Sequence, residues 1–170
     1  QKVDRYNTRT VDRIATSFRS ILRDIGEDPD REGLAKTPER FAKAIQYLTH
    51  GHDLNPAKIL RSAMFREEYK QMVIVRDIEV YSLCEHHLVP FHGVAHVGYI
   101  PSEKGHITGL SKLARLVDVY AKRPQVQERL TTQIADSLLQ ILEPLGVIVV
   151  LECEHLCMSM RGVRKPGART

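Results

Sequence analysis

A chain of 170 residues with 42% hydrophobic and 27% charged side chains can bury one core, and this composition argues against global disorder. A net charge of +4 suits an anionic ligand without announcing a nucleic-acid binder. No apolar run approaches the roughly 18 residues that span a bilayer, and no charged-then-apolar leader precedes the first helical pattern, although the sequence opens on Gln1.

The first predicted element is an amphipathic helix in "VDRIATSFRSILRDIG", with Val11, Ile14, Phe18, Ile21 and Leu22 on one face. A second helix follows in "TPERFAKAIQYLTHG", where Thr37 suits the N-cap, Pro38 the first helical position and Gly51 the stop. The β-branched run from Met72 to Leu83 predicts a strand, and Gly93 to Pro101 its neighbour. Beyond the turn "PSEKGHITG", Leu110, Leu113, Val117 and Tyr120 form one helical stripe, which Pro124 interrupts. Val126, Leu130, Ile134, Leu138 and Ile141 form another. "GVIVVLECEHLCMSMRGVR" reads as a strand pair or one long bent strand. The order of two helices, two strands, two helices and two strands predicts an α+β domain, an antiparallel sheet covered by helices on one face.

Chemistry concentrates in "SLCEHHLVPFHG" and "ECEHLCM". Three cysteines, Cys84, Cys153 and Cys157, are an odd number and too few for a disulfide scaffold, so a reducing, cytoplasmic setting with free thiols is expected. Cys84 and His87 have a spacing that lets a strand end aim both at one point, and zinc takes both ligand types. On a regular strand Cys153, His155 and Cys157 would share a face and add to the site. Cys84, His87 and Cys157 with an open fourth position would make a catalytic zinc centre, with His86 and His155 as proton shuttles. The competing reading makes one of those histidines a fourth ligand of a structural site. Glu85 is expected to be solvated, with orientation of a histidine as its other reading.

Arg40, Lys43, Lys112, Arg115 and Arg161 could together hold a polyphosphate, although each alone fits a solvated face. The P-loop pattern is absent, so a bound nucleotide is not expected to donate phosphate. The carboxylate of Glu128, beside the amide Gln127, could take the paired donors of a guanine edge. Taken alone, it is better read as an ordinary surface glutamate on an amphipathic helix.

Together "TPERFAK", "VRDIEVYSLCEHHLVPFHG", "GYIP", "GLSKLARLVDVYAKRPQVQERLTTQIA" and "HLCMSMRGV" resemble the GTP cyclohydrolase I family of the zinc-dependent type, from about Thr37 to Val163. The resemblance implies a tunnelling fold, with an N-terminal helical segment over 1–66 and a catalytic domain over 67–170. It implies Zn²⁺ on Cys84, His87 and Cys157, with His86, His155 and Ser111 as catalytic residues. It implies guanine recognition by Gln127 and Glu128, and triphosphate contacts from Arg40, Lys43, Lys112, Arg115 and Arg161. The implied reaction converts GTP and water to 7,8-dihydroneopterin triphosphate and formate, with a zinc-activated water opening the imidazole ring. The implied assembly is a toroidal homodecamer with active sites between subunits and no nucleic acid or membrane partner. Two departures stand out. Cys153 lies where the family often has alanine, so it could compete for the metal or form a disulfide with Cys157 on oxidation, and a small buried residue is the better reading. The chain also ends at Thr170, before a C-terminal segment through which the family usually continues.

Overall fold

The computed structural model describes residues 6–170, and the chain divides into two units between Thr49 and His50. In the first unit, α1 (Thr8–Asp24) starts where the Asn7 side chain accepts a hydrogen bond from the Thr10 amide at 3.1 Å. That cap satisfies one of the amides left unpaired at a helix start. Helix α2 (Thr37–Thr49) carries Pro38 in its first turn, where a missing N–H costs nothing. The two helices meet through the rings of Phe18 and Phe41, stacked at 3.8 Å, and bury Val11, Leu22 and Ala42.

The second unit opens with a 3₁₀ turn, His50–Asp53. Gly51, expected as a helix stop, has another job here. A Cβ on it would lie 2.1 Å from the Val119 carbonyl oxygen and 2.7 Å from that of Lys122, so only glycine permits this backbone approach. Next come α3 (Pro56–Arg61) and β1 (Met64–Arg66), which pairs antiparallel with β4 (His106–Thr108). The main sheet holds β2 (Val73–Cys84), β3 (Pro90–Ile100), β5 (Pro124–Gln125) and β6 (Gly146–His155), in the order β5-β2-β3-β6. All neighbours are antiparallel except β5, which runs parallel to β2. Helices α4 (Leu110–Ala121) and α5 (Gln127–Leu142) cover one face, and α6 (Leu156–Ser159) caps the end of β6.

Period explains the core. Leu113, Leu116, Val117 and Ala121 of α4 and Leu130, Ile134, Leu138 and Leu142 of α5 are buried against Val80, Phe91, Ala95, Val97, Tyr99 and Leu151 of the sheet. The alternate strand positions Ile74, Tyr81, Ile148 and Val150 are about half exposed on the helix-free face. This is the α+β arrangement expected, with additions. The last pattern forms one strand and a short helix rather than a strand pair or one long bent strand, β5 adds a parallel edge of two residues, and the 3₁₀ turn, α3 and the β1–β4 pair lie between the expected elements.

A β-bulge sets which side chains of β2 face inward. Val75 pairs with Val97 but Ile78 pairs with Ala95, so β2 carries one extra residue. Asp77 takes the left-handed conformation there, φ +57, and its amide donates to His96 Nδ1 at 3.2 Å. The inward set changes from odd to even, from Val73 and Val75 to Val80, Ser82 and Cys84.

Candidate active site

The buried thiol of Cys84 ends β2. The turn beyond it folds back tightly. The Cys84 carbonyl accepts from the amides of His87 at 3.3 Å and Leu88 at 2.8 Å, and the Cys84 amide donates to Val89 O at 3.0 Å. Leu88 adopts a left-handed φ of +53, which is unusual for a branched apolar residue. At the far side of β3, β6 stops at His155, paired with Phe91, and the chain turns into α6, which brings in Cys157. Strand periodicity therefore does not carry through to Cys157. Cys153 faces the core with 1% exposure and stays outside the cluster.

The ligand atoms of Cys84, His87 and Cys157 lie within 4.8 Å of one another. The two sulfurs are 3.9 Å apart. Two thiolates on a tetrahedral ion with bonds of about 2.3 Å would be separated by about 3.8 Å, so the pair fits zinc without rearrangement. His86 points its Nδ1 at Cys84 Sγ from 3.7 Å but does not join that three-residue group. Its ring lies 6.3 Å from that of His87 at a steep 71°. All three cysteines are free thiols. Burial raises the Cys157 thiol above its usual range, and the adjacent Cys84 adds to this while Arg161 opposes it.

His155 is held on two sides. Its ring stacks on Phe91 at 4.6 Å and 9°, and its Nε2 lies 2.8 Å from Gln127 Oε1. The Gln127 amide nitrogen donates to the carbonyls of Leu151 at 3.1 Å and Thr170 at 2.8 Å. With its donors spent there, Gln127 presents only an acceptor to His155, so neutral His155 carries its proton on Nε2. Burial holds the imidazole below its ordinary pKa, and the charge of Glu128 works the other way. Gln127 is buried and Glu128 is exposed at the start of α5.

The arrangement places a Cys–His–Cys group next to a tautomer-fixed histidine that feels the charge of Glu128. A family model for GTP cyclohydrolase I matches residues 14–170. The GTP cyclohydrolase 1 of Streptomyces coelicolor is 66% identical over 158 residues, spanning 93% of this chain and 78% of that protein. The proteins of the same name from Mycobacterium leprae, at 62% over 158 residues, and Corynebacterium aurimucosum, at 60% over 159, are similar across 93% and 94% of this chain and 77% and 81% of their own lengths. The chain belongs to the GTP cyclohydrolase I family. It is an enzyme with the α+β tunnelling fold of GTP cyclohydrolase I, whose helix-covered sheet was described above.

Other candidate residues of this cyclohydrolase are spread over several elements. Ser111, Lys112 and Arg115 occupy the first turns of α4, whose N-terminus has no side-chain cap. Arg161 follows α6 and is exposed. Among the described residues, these four form no side-chain hydrogen bond or ion pair. Arg40 and Lys43 lie on α2 in the first unit, where Lys43 pairs with Glu39 at 2.5 Å. Sequence reasoning missed Phe91 and Arg129. The ring of Phe91 reads as ordinary core until its stacking on His155 is seen. Arg129 forks onto Glu85, Nη1 to Oε2 at 2.6 Å and Nη2 to Oε1 at 2.9 Å. Glu85 is therefore engaged rather than merely solvated, and both its oxygens face Arg129 instead of a histidine. No sequence signal links positions so far apart.

Proposed function

We propose that the chain converts GTP and water to 7,8-dihydroneopterin triphosphate and formate, the entry step to folate or tetrahydrobiopterin synthesis. The observation that carries this reading is the three-ligand group of Cys84, His87 and Cys157 beside a half-buried histidine, His155, and the Glu128 carboxylate. Bound by those three side chains, Zn²⁺ would supply a Lewis acid that brings the pKa of a coordinated water near neutrality.

The chain's own residues do the rest. Glu128 accepts the two adjacent donors of the guanine edge, and adenine, lacking them, would leave the carboxylate unpaired. Gln127 borders the same base and holds the Nε2–H of His155, which leaves Nδ1 to take up a proton and pass it to the ring nitrogen as the imidazole opens at carbon-8. His86 serves the ribose ring oxygen, and Ser111 assists the later rearrangement of the opened sugar. Lys112, Arg115 and Arg161, with Arg40 and Lys43, hold the triphosphate as a handle. The uncapped start of α4 adds backbone amides suited to an anion.

The working form in this proposal is a ring-shaped homodecamer in the cytoplasm, with each active site shared between subunits. Support for assembly comes from the half-exposed apolar face of Ile74, Tyr81, Ile148 and Val150. No helix among the described residues is long and apolar enough to cross a membrane. Incubation with GTP tests the reaction directly. The expected products are one formate and one fluorescent pterin, after oxidation, per GTP consumed, with the triphosphate intact. Release of inorganic phosphate without formate would overturn the reading.

A further inference from the structure

Glu85 sits between Cys84 and the two histidines, and Arg129 sits directly after Glu128. The backbone already holds these segments together up to that point. Leu83 and Cys84 pair in parallel with Pro124 and Gln125, and the Glu85 amide donates to Gln125 O at 2.9 Å. There the ladder ends. Beyond it, the two-pronged bond of Arg129 to Glu85 ties the histidine turn to α5. A planar guanidinium that meets both carboxylate oxygens fixes direction as well as distance. The other side of the same helical turn is tied to the end of β6 by Gln127, through Leu151 and His155.

We propose that Glu85 and Arg129 are a positioning pair, which fixes the Cys84–His87 turn against α5 and so sets the distance from the metal-binding group to the Glu128 carboxylate. The proposal rests on the functional reading above and deepens it. The pair is partly exposed, 33% for Glu85 and 45% for Arg129, so it adds little to folding stability. Its effect falls on geometry. The turn needs such an outside hold, because Leu88 keeps it in a left-handed conformation that its own side chain disfavours.

The test uses full-length protein loaded with zinc, and in parallel with cobalt(II). Glu85→Gln and Arg129→Gln should each raise KM for GTP about tenfold, as loss of a partner just outside a metal shell does. Zinc stoichiometry and the urea midpoint should stay close to wild type. Because both changes break one contact, the double variant should be no worse than either single one. Exchanging the charges, Glu85→Arg with Arg129→Glu, should recover part of the loss. The visible bands of the cobalt protein should shift in both single variants, a readout that does not depend on turnover. Unchanged bands and unchanged KM would overturn the pair, as would effects that multiply in the double variant. Wild-type protein that yields no pterin would instead overturn the functional reading, while the cobalt bands would still decide the pair.

Discussion

At the scale of single residues, the division of labour along α5 is testable because Gln127 and Glu128 face different environments. Gln127 is buried with its amide committed, whereas Glu128 is exposed and electrostatically close to His155. Glu128→Ala should raise KM for GTP by roughly 10- to 100-fold, the range expected for hydrogen bonds to a charged group. Its zinc content should match wild type. Metal analysis beside steady-state kinetics checks this, and loss of zinc would reassign Glu128. A second residue-scale prediction concerns Cys153, whose buried thiol is pushed from the usual 9.0 up to about 11 by desolvation and the charge of Glu152. The unfolded thiol loses its proton first as pH rises. This contribution to stability is therefore complete below pH 9.0 and is lost through about pH 11. Urea midpoints measured across that window should fall more steeply for wild type than for Cys153→Ala. Equal slopes would mean that the thiol is hydrated.

At the scale of elements, the bulge in β2 governs the metal-binding group more than any local feature of "CEHH". One extra residue at Asp77 turns Val80, Ser82 and Cys84 inward. Deletion of Asp77 would carry Cys84 to the helix-free face if the upper pairing held. Such a variant should bind no zinc with the affinity of wild type, even if circular dichroism still reports a folded sheet. Asp77→Gly keeps the residue count and removes the side chain that a left-handed backbone disfavours, so it should retain zinc and lose no more than about 1 kcal/mol. Zinc titration of the two variants separates register from side-chain chemistry. Little of this was legible in the sequence. The β-branched run from Met72 to Leu83 marked a strand, but strand periodicity alone cannot place an extra residue. The helical stripes of α4 and α5 were readable because their period is local. The partners of Glu85 and Gln127 were not, since those contacts cross tens of residues and depend on how α5 docks. Spacing pointed to a metal at Cys84 and Cys157, yet only resemblance distinguished His87 from His86 as a ligand. In the structure His87 joins the group while His86 approaches Cys84 alone.

For the whole molecule, the proposed triphosphate role of the dispersed cations requires that they meet at one place. Arg40 and Lys43 belong to the first unit, whereas the metal-binding group, His155 and Arg161 belong to the second. In a ring of identical subunits, an active site can draw these groups from different chains. Mixing two inactive variants distinguishes that arrangement from a site built within one chain. Arg40→Ala and His155→Ala should each have little activity alone. After unfolding and joint refolding at equal amounts, a shared site is intact when the chain supplying Arg40 and the chain supplying His155 each carry the native residue. Random assembly gives about one half for each condition, so about a quarter of wild-type activity should return. If each site lay within one chain, every chain would carry a defect and no activity would return. A parallel change of Ile148 and Val150 to lysine should break the proposed assembly by charging the helix-free apolar face, which sedimentation would show as smaller species. Because Arg40 and His155 would then no longer meet across subunits, the lysine variant should hold zinc but turn over no GTP. Full activity in a dissociated chain would exclude the shared site.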